Sequence, residues 1–382
     1  MTFKVAERGR IDPFIVMDVM RRAQQRAAEG GDVLHLEVGQ PSGPAPAGVL
    51  RAARAALDGE SLGYTLALGI DGLRERIARH YAETYGLAVG AERVAVTTGS
   101  SGGFLLAFLA SFSAGDRVAV AAPGYPAYRN ILKALDITCV PIAVGPDNGW
   151  CLTARDLAGM EGELDGVIVA SPANPTGVMM SEAELAALAG WCETHGIRLI
   201  SDEIYHGITF GKAAATASAH GAHAVVVNSF SKYYAMTGWR LGWLVLPPDL
   251  VRAVECLQQN LFISPPTLSQ IAAIAAFECR EELDRRVAVY AANRDILRDG
   301  LTRAGFARLA PSDGAFYVYA DLAGIADDSQ DFCARMLAET GIAATPGVDF
   351  DPVRGHRFVR FSFAGATADM VEAVRRLNLW RR

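Results

Sequence analysis

Short apolar runs rich in β-branched residues recur between residues 92 and 246, and each is followed by a cluster of Gly, Pro, Ser or Asn. Runs of this length indicate strands buried on both faces. Helix-like stretches, such as 181–195 with its Ser-Glu-Ala-Glu start, alternate with them. The pattern predicts right-handed crossovers and a mostly parallel central sheet flanked by helices. The five clearest runs are Arg93–Thr97, Arg117–Ala121, Gly166–Ala170, Ile197–Ser201 and Ala224–Asn228.

After about Pro265 the pattern changes to a long Ala-rich helical stretch through roughly Ala304, and two strands are predicted near 315–319 and 357–362. This order fits a second, smaller α+β unit. Because 382 residues exceed the roughly 250–300 at which one hydrophobic core stops growing, we expect two domains. The predicted boundaries are 1–40 for an N-terminal segment packing with the small domain, 41–275 for the large domain and 276–382 for the small domain.

Composition narrows the class of protein. Apolar residues make up 51% and charged residues 20% of the chain, as in ordinary soluble globular proteins. The formal net charge of -6 argues against a nucleic-acid partner, which needs concentrated basic surface. The first residues lack the apolar core of a signal peptide, and no apolar run is long enough to span a bilayer. We therefore expect no membrane association and a cytoplasmic location.

The cysteines indicate no particular site, whereas the lysines are few enough to limit the candidates for a catalytic amine. Six cysteines are scattered without a CxxC pair, and His220 and His223 have no further ligand beside them, so we predict no metal and no disulfide framework. Lysine occurs only at positions 4, 133, 212 and 232. If the chemistry requires an amine, the candidates are few.

Ligands of an open parallel sheet bind outside the carboxyl ends of its strands, so the loops after the five runs form the candidate site. The first loop, 98–103, opens a helix and offers N–H groups and the hydroxyls of Ser100 and Ser101 to a phosphate, although a plain turn is the alternative. The chain lacks the glycine patterns of dinucleotide and ATP sites. The second loop holds Tyr125 on a proline-rich turn, where it can stack on a flat ring or simply pack.

Polar residues continue through the remaining loops. Asn174 lies among prolines as a positioned amide, with a structural turn as the alternative. Asp202 ends a buried strand and Tyr205 follows, and a buried carboxylate implies a cation or hydrogen-bond donors nearby. The fifth loop carries Lys232 and, eight residues beyond it, Arg240. A lone lysine is more commonly a surface charge, but these neighbours favour a functional one.

Together the loops supply an amine, a carboxylate, an aromatic ring, an amide, a phenol and a phosphate cradle with an arginine. Pyridoxal phosphate requires a lysine for its aldehyde, an acid opposite its ring nitrogen and an anchor for its phosphate. The residues therefore indicate a pyridoxal-phosphate enzyme.

Four motifs carry a resemblance to a known family: Ser229-Phe-Ser-Lys232, Gly238-Trp-Arg-Leu-Gly242, Asn174-Pro-Thr-Gly177 and Asp202-Glu-Ile-Tyr205. Over nearly its whole length the chain resembles the class I and II aminotransferases, which are fold type I pyridoxal-phosphate enzymes. The resemblance implies an aspartate-aminotransferase-like α/β fold, with a large domain around a mostly parallel sheet and a smaller α+β domain.

The resemblance also implies roles for individual residues. Lys232 would carry pyridoxal 5'-phosphate as a Schiff base and, with Asp202 and Tyr205, would be catalytic. Asp202 would keep the ring nitrogen protonated, and Asn174 and Tyr205 would hydrogen-bond the ring's phenolic oxygen. The other implied cofactor contacts are a stacked Tyr125 and phosphate ligands at Ser100, Ser101, Ser229 and Arg240.

The substrate and the assembly are implied in the same way. Arg360 would pair with the α-carboxylate through its planar guanidinium, and Gly39 and Asn174 would complete the substrate site. Tyr64 resembles a family tyrosine that reaches the phosphate of a neighbouring subunit. A homodimer with shared active sites follows from that resemblance.

The implied reaction is a ping-pong transfer of an amino group between an L-amino acid and a 2-oxo acid. A C–S lyase or another β-eliminating enzyme of the same fold is an alternative, because the same carbanion can expel a leaving group. A non-catalytic cofactor-binding regulatory module is less favoured, since such proteins need a DNA-binding extension and residues 1–38 are too few and too weakly basic.

The expected amino donor is neutral or aromatic. Aspartate-specific relatives place a cation near the substrate's second carboxylate, either a lysine where Ser101 stands or an arginine in the segment that here contains Gln259. Without such a cation a second carboxylate would be unpaired in a partly dry pocket. Arg21 or Arg22 is the alternative source of that charge.

Overall fold

The computed structural model describes residues 3–160 and 162–380. In this part of the chain the helices are α1 Ile15–Ala28, α2 Ala47–Gly59, α3 Asp71–Tyr85, α4 Gly99–Ser111, α5 Pro126–Ala134, α6 Glu182–His195, α7 Pro248–Leu261, α8 Thr267–Ile274, α9 Arg280–Arg303, α10 Ser329–Thr340 and α11 Thr367–Trp380. The strands are β1 Leu34–His35, β2 Val94–Thr97, β3 Arg117–Ala122, β4 Thr138–Ala143, β5 Gly166–Ala170, β6 Arg198–Asp202, β7 Val225–Ser229, β8 Gly242–Val245, β9 Tyr317–Asp321, β10 Ile342–Ala343, β11 Thr345–Pro346 and β12 Phe358–Ser362.

The central sheet has seven strands in the order β2-β8-β7-β6-β5-β3-β4. All of them run in one direction except β8, which is antiparallel to both of its neighbours, β2 and β7. The five apolar runs are all strands of this sheet, so the predicted mostly parallel sheet is confirmed. Two of its strands, β4 and β8, were not predicted.

Both faces of the sheet are buried, which explains the continuous apolar runs. In β7, for example, Val226 packs into one hydrophobic cluster while Val225 and Val227 pack into the cluster on the other face. Helices α2, α3 and α6 contribute to the first cluster, and α4 and α7 to the second. α6 begins with the predicted capping box, in which the Glu184 carboxylate accepts from the Ser181 N–H at 2.8 Å.

A second, smaller set of elements surrounds an antiparallel sheet of order β11-β12-β9. Its core contains large aromatic side chains of β9 and β12 and apolar side chains of α9, α10 and α11. β1 pairs in parallel with β10, and Ala23 of α1 packs against Leu337 and Ala343. The N-terminal segment therefore contacts this smaller unit, and the predicted boundaries at residues 40 and 275 remain predictions.

The helical stretch predicted for about 265–304 consists of two helices, α8 and α9. A turn of 3-10 helix at Ala275–Glu278 separates α8 from α9. The break has a packing reason: Ala272 and Ala273 of α8 lie in the core of the central sheet, whereas Leu297 and Leu301 of α9 lie in the core of the smaller unit. Among the described helices, none combines the length and the apolar character needed to cross a membrane.

Candidate active site

A cavity of about 240 Å3 opens at the carboxyl edge of the central sheet, where it is closed in by the N-terminal segment and the smaller unit. Every residue predicted for the site lines this cavity except Ser229 and Tyr64. The prediction that separate loops converge at one edge therefore agrees with the geometry. Further lining residues that the sequence did not single out are Phe14, Val16, Met17, Val38, Ser231, Thr237 and Tyr317.

The connection between β7 and β8 brings Lys232 and Arg240 to the same edge. Because these strands are antiparallel neighbours, the segment 230–241 leaves the sheet and returns to it at one place. Its base is closed by the Phe230 N–H, which donates to the Leu241 carbonyl at 3.1 Å. The connection is thus a compact loop with joined ends.

Ser229 has a structural task at the base of this loop. Its hydroxyl donates to the Leu241 carbonyl at 3.3 Å and accepts from the Ser231 N–H at 2.9 Å. Ser229 is buried and does not line the cavity, whereas Ser231 does. Ser229 was predicted to bind the phosphate, and that contact remains a prediction.

Lys232 is half-buried, and its surroundings favour the neutral form of its amine. Its Nζ donates to the Gly39 carbonyl at 2.7 Å. Burial lowers the pKa of Lys232 to about 8, the positive charges of Arg360 and Arg240 act in the same direction, and the carboxylate of Asp202 opposes them. A lysine with this pKa supplies a reactive amine near neutral pH.

Asp202, the last residue of β6, has the hydrogen-bond donors that its burial requires. One carboxylate oxygen accepts from the Ile204 N–H at 3.1 Å and the other accepts from the Tyr128 hydroxyl. Burial raises the pKa of Asp202 to about 6, while these donors and Lys232 lower it. Tyr128, three residues after Tyr125 on α5, is a site residue that the sequence analysis missed.

Arg360, on β12, is a buried cation without an anionic partner among the described residues. Its guanidinium donates to the Asn174 side-chain oxygen at 2.8 Å and to the Thr345 hydroxyl at 3.2 Å. The rings of Tyr317 and Phe350 lie 4.3 and 4.7 Å from its central carbon. Because a buried charge normally requires an opposite one, this arrangement fits an anionic ligand.

Tyr205 and Gly39 meet at Tyr317, which was also missed. The hydroxyls of Tyr205 and Tyr317 are 2.8 Å apart. A Cβ atom on Gly39 would lie 1.7 Å from the Tyr317 hydroxyl, so only glycine fits at this position. Tyr317 lies on β9, so the smaller unit completes the floor of the cavity.

The first turn of α4 and Arg240 form a cradle for an anion. Gly99 has φ +69, and a Cβ there would lie 2.5 Å from the Arg240 guanidinium, so glycine permits the close approach. Ser100 and Ser101 follow it in the first turn, where the N–H groups of a helix attract negative charge. This combination suits a phosphate dianion.

The remaining predicted residues differ in their placement. Tyr125 precedes α5, and its ring meets the rings of Phe14 and Tyr128 edge-on at 5.8 and 5.4 Å. Tyr64 is 84% exposed and lies outside the cavity of its own chain. Arg21, Arg22 and Gln259 do not line the cavity either.

Comparison with known proteins gives the family. The sequence profile described as aminotransferase class I and II matches residues 31–377. The chain belongs to this aminotransferase family. The aminotransferase is 55% identical to the valine–pyruvate aminotransferase of Mycobacterium tuberculosis, over 100% of this chain and 99% of the relative.

Solved structures agree with this result. The aminotransferase superposes on a crystal structure of an aminotransferase from Mycobacterium tuberculosis with a TM-score of 0.97 and 55% identity, covering 99% of both chains. It superposes on the aspartate aminotransferase of Thermus thermophilus with maleate with a TM-score of 0.94 and 29% identity, covering 99% of this chain and 100% of the other. The predicted aspartate-aminotransferase-like fold is thereby confirmed.

These findings also confirm the predicted activity. The protein is an enzyme that transfers an amino group between an amino acid and a 2-oxo acid. The predicted alternatives, a β-eliminating enzyme and a regulatory module, are not favoured. Members of this family use pyridoxal phosphate.

Proposed function

We propose that this aminotransferase binds pyridoxal phosphate at Lys232 and transfers the amino group of a neutral aliphatic amino acid, with valine as the first candidate, to a 2-oxo acid by a ping-pong mechanism. The proposed donor class rests on one observation. Within the described residues, the cations that line the cavity are Lys232, Arg240 and Arg360. All three have other tasks in this proposal.

The polar residues of the cavity match the polar groups of pyridoxal phosphate. The cradle of Gly99, Ser100, Ser101 and Arg240 suits the phosphate, and Asp202 supplies the acid that the ring nitrogen requires. Lys232 provides the amine that holds the aldehyde, and Asn174 and Tyr205 offer donors for the phenolic oxygen. The Asn174 oxygen already accepts from Arg360, which leaves its amide N–H groups to donate.

The protein's own residues account for the proton transfer. When bound, pyridoxal phosphate supplies a ring that accepts the negative charge developing at the substrate's Cα. Lys232, whose pKa is lowered to about 8, would take the proton from the substrate's Cα and would donate it to the carbon that carried the cofactor's aldehyde. Asp202, ionised above a pKa of about 6, stabilises the positive ring nitrogen. Arg360 holds the substrate's carboxylate through paired donors.

The substrate's side chain meets an apolar wall. Phe14, Val16, Met17 and Val38 line the cavity and offer no charge to a second carboxylate. Arg21, the alternative cation, pairs with Asp18, and its side chain is 75% exposed. The relative in Mycobacterium tuberculosis is described as a valine–pyruvate aminotransferase, and this description supports an aliphatic donor.

A panel of amino donors tests the proposal. We expect kcat/KM for valine, alanine and leucine to exceed that for aspartate by about tenfold or more, because an unpaired carboxylate in a partly dry pocket costs at least 1–2 kcal/mol. Oxo acid products are identified for each donor. In a Ser101→Lys variant the aspartate value should rise relative to valine. A preference of the unmodified enzyme for aspartate would refute the proposed donor class.

We also propose a homodimer with shared active sites. Several exposed apolar side chains lie on two adjoining segments, which are joined by the Thr267 hydroxyl donating to the Gly63 carbonyl at 2.5 Å. Ile263 lies there at φ +65, a backbone conformation that β-branched residues rarely adopt. Burial against a second copy explains this patch, whose members are Leu62, Tyr64, Leu66, Leu261 and Ile263.

Mixed subunits test the shared site. Lys232→Ala subunits and Tyr64→Ala subunits should each have low activity, and hybrids of the two should regain part of it if Tyr64 acts in the partner's site. Sedimentation measures the oligomeric state. A fully active monomer would contradict the proposal. The cytoplasmic location also remains a proposal.

A further inference from the structure

The beginning of α1 forms one wall of the active-site cavity. Phe14, Val16 and Met17 line the cavity, and the Phe14 ring packs edge-on against Tyr125 with centroids 5.8 Å apart. Val16 is buried, while Met17 is 54% exposed. The size of the space for a substrate side chain therefore depends on where this first turn of α1 lies.

The first turn of α1 has no cap of its own. Helix N-terminal N–H groups need an acceptor, and Phe14, which precedes the helix, has no side-chain acceptor. Asp349 provides it from far along the chain: one carboxylate oxygen accepts from the Ile15 N–H at 3.1 Å and the other accepts from the Val16 N–H at 3.3 Å. A carboxylate at this position is also favoured by the helix dipole.

The Asp349 carboxylate contacts the first turn of α1 and forms no ion pair with another described residue. Its side chain is fully buried, and among the described residues no Lys, Arg or His nitrogen lies within ion-pair distance of it. Its backbone carbonyl is held separately, since it accepts from the Arg129 guanidinium at 2.7 Å. The next residue, Phe350, places its ring 4.7 Å from the guanidinium carbon of Arg360. Asp349 thus contacts α1, and the adjacent Phe350 contacts Arg360, the arginine proposed to bind the substrate's carboxylate.

We propose that Asp349 is a specificity-determining positioning residue, which holds Phe14, Val16 and Met17 against the substrate's side chain by capping α1. This inference rests on the proposed neutral aliphatic donor. A donor with a larger apolar side chain gains more from this wall than alanine does. Loss of the cap should therefore reduce kcat/KM more for donors with larger side chains, whereas a general structural defect would reduce kcat/KM for every donor alike.

The experiment compares valine with alanine in the holoenzyme and its variants. In Asp349→Ala, the ratio of kcat/KM for valine to that for alanine should fall by roughly five- to tenfold, the range expected for loss of a helix cap. The fall should lie mainly in KM, and cofactor affinity should be unchanged. Asp349→Asn, which keeps the side-chain volume and one acceptor oxygen, should give a smaller fall in this ratio. If the alanine variant folds poorly, the asparagine variant tests the role of Asp349.

A matched control and a structural readout complete the test. Asp351→Asn changes a second buried carboxylate of the same segment, one that pairs with Arg354 and does not contact α1. Its valine-to-alanine ratio should stay at the wild-type value. Amide hydrogen exchange at residues 15–18 should be faster in Asp349→Ala than in this control.

Two results separate this inference from the proposed function. If the unmodified enzyme uses neither valine nor alanine, the proposed donor class is wrong, and the exchange measurement still decides whether Asp349 holds α1. An unchanged ratio in both Asp349 variants, an equal loss for the two donors, or unchanged exchange at 15–18 would overturn the role of Asp349.

Discussion

Removal of the Tyr128 hydroxyl should shift the ionisation of Asp202. In the structure, one oxygen of the buried carboxylate accepts from Tyr128 and the other from the Ile204 N–H, and the pKa of Asp202 is raised by burial to about 6. A hydrogen bond to a charged group contributes about 1.5–3 kcal/mol, and about 1.4 kcal/mol corresponds to one pKa unit. Tyr128→Phe should therefore raise the pKa of Asp202 by about one to two units.

The sign of the effect follows from the charged form. Tyr128 donates to the carboxylate, so its loss disfavours ionisation, and the ionised fraction of Asp202 at pH 7 should fall from about nine tenths to about half or less. In the cofactor-free protein the titration of the Asp202 carboxyl should move to higher pH by the same one to two units. Labelled carboxyl carbon NMR of the cofactor-free protein measures the same shift without turnover.

The matched control is Tyr319→Phe. Tyr319 is also fully buried, but its hydroxyl has no hydrogen-bond partner among the described residues. That variant should leave the NMR titration of Asp202 where it is in the wild type. If Tyr128→Phe also leaves the titration unchanged, the phenol does not stabilise the ionised carboxylate and the reasoning fails.

Further predictions concern Lys232, Asp202 and Gly39. Borohydride reduction followed by peptide mapping should place the cofactor on Lys232, and a label on another lysine would contradict the assignment. The rate at which cofactor-free enzyme captures pyridoxal phosphate should rise with pH and level off above about 8, because burial lowers the pKa of Lys232 to that value and the neutral amine reacts; a plateau only above about 10 would contradict this. Asp202→Ala should still bind cofactor through the phosphate cradle but lower kcat by on the order of a hundredfold, and an unchanged kcat would exclude its role. Gly39→Ala should lower the stability by about 1–3 kcal/mol and impair turnover, because its Cβ would overlap the Tyr317 hydroxyl, whereas Gly59→Ala, with open space around it, should do neither as judged by thermal melts.

Local patterns were sufficient for five of the six central strands that run in one direction and for many of the residues that line the cavity. The apolar runs are long because both sheet faces are buried, and residues such as Asp202 and Lys232 follow those runs directly. Strand β4 was missed since it contains Pro141 and lies at the sheet edge, where proline is tolerated. Strand β8, Gly242–Val245, has only four residues and was not among the five predicted runs.

The missed site residues share a different cause. Tyr317 reaches the cavity from β9 of the smaller unit, and Phe14 to Met17 reach it from the N-terminal segment. Both placements depend on how distant parts of the chain pack together, and no short-range pattern contains that information. Tyr128 was closer to prediction, because it follows Tyr125 by three residues, about one helical turn, and the two rings are in contact.

The closed loop 230–241 fixes how far Lys232 lies from Arg240. Because both of its ends are tied together at the sheet edge, the separation between the attachment point of the cofactor's aldehyde and the arginine for its phosphate is set by the number of residues between them. An insertion or a deletion between Lys232 and Arg240 would change that separation directly. A change in loop length would therefore disturb the cofactor's aldehyde end and its phosphate end at the same time.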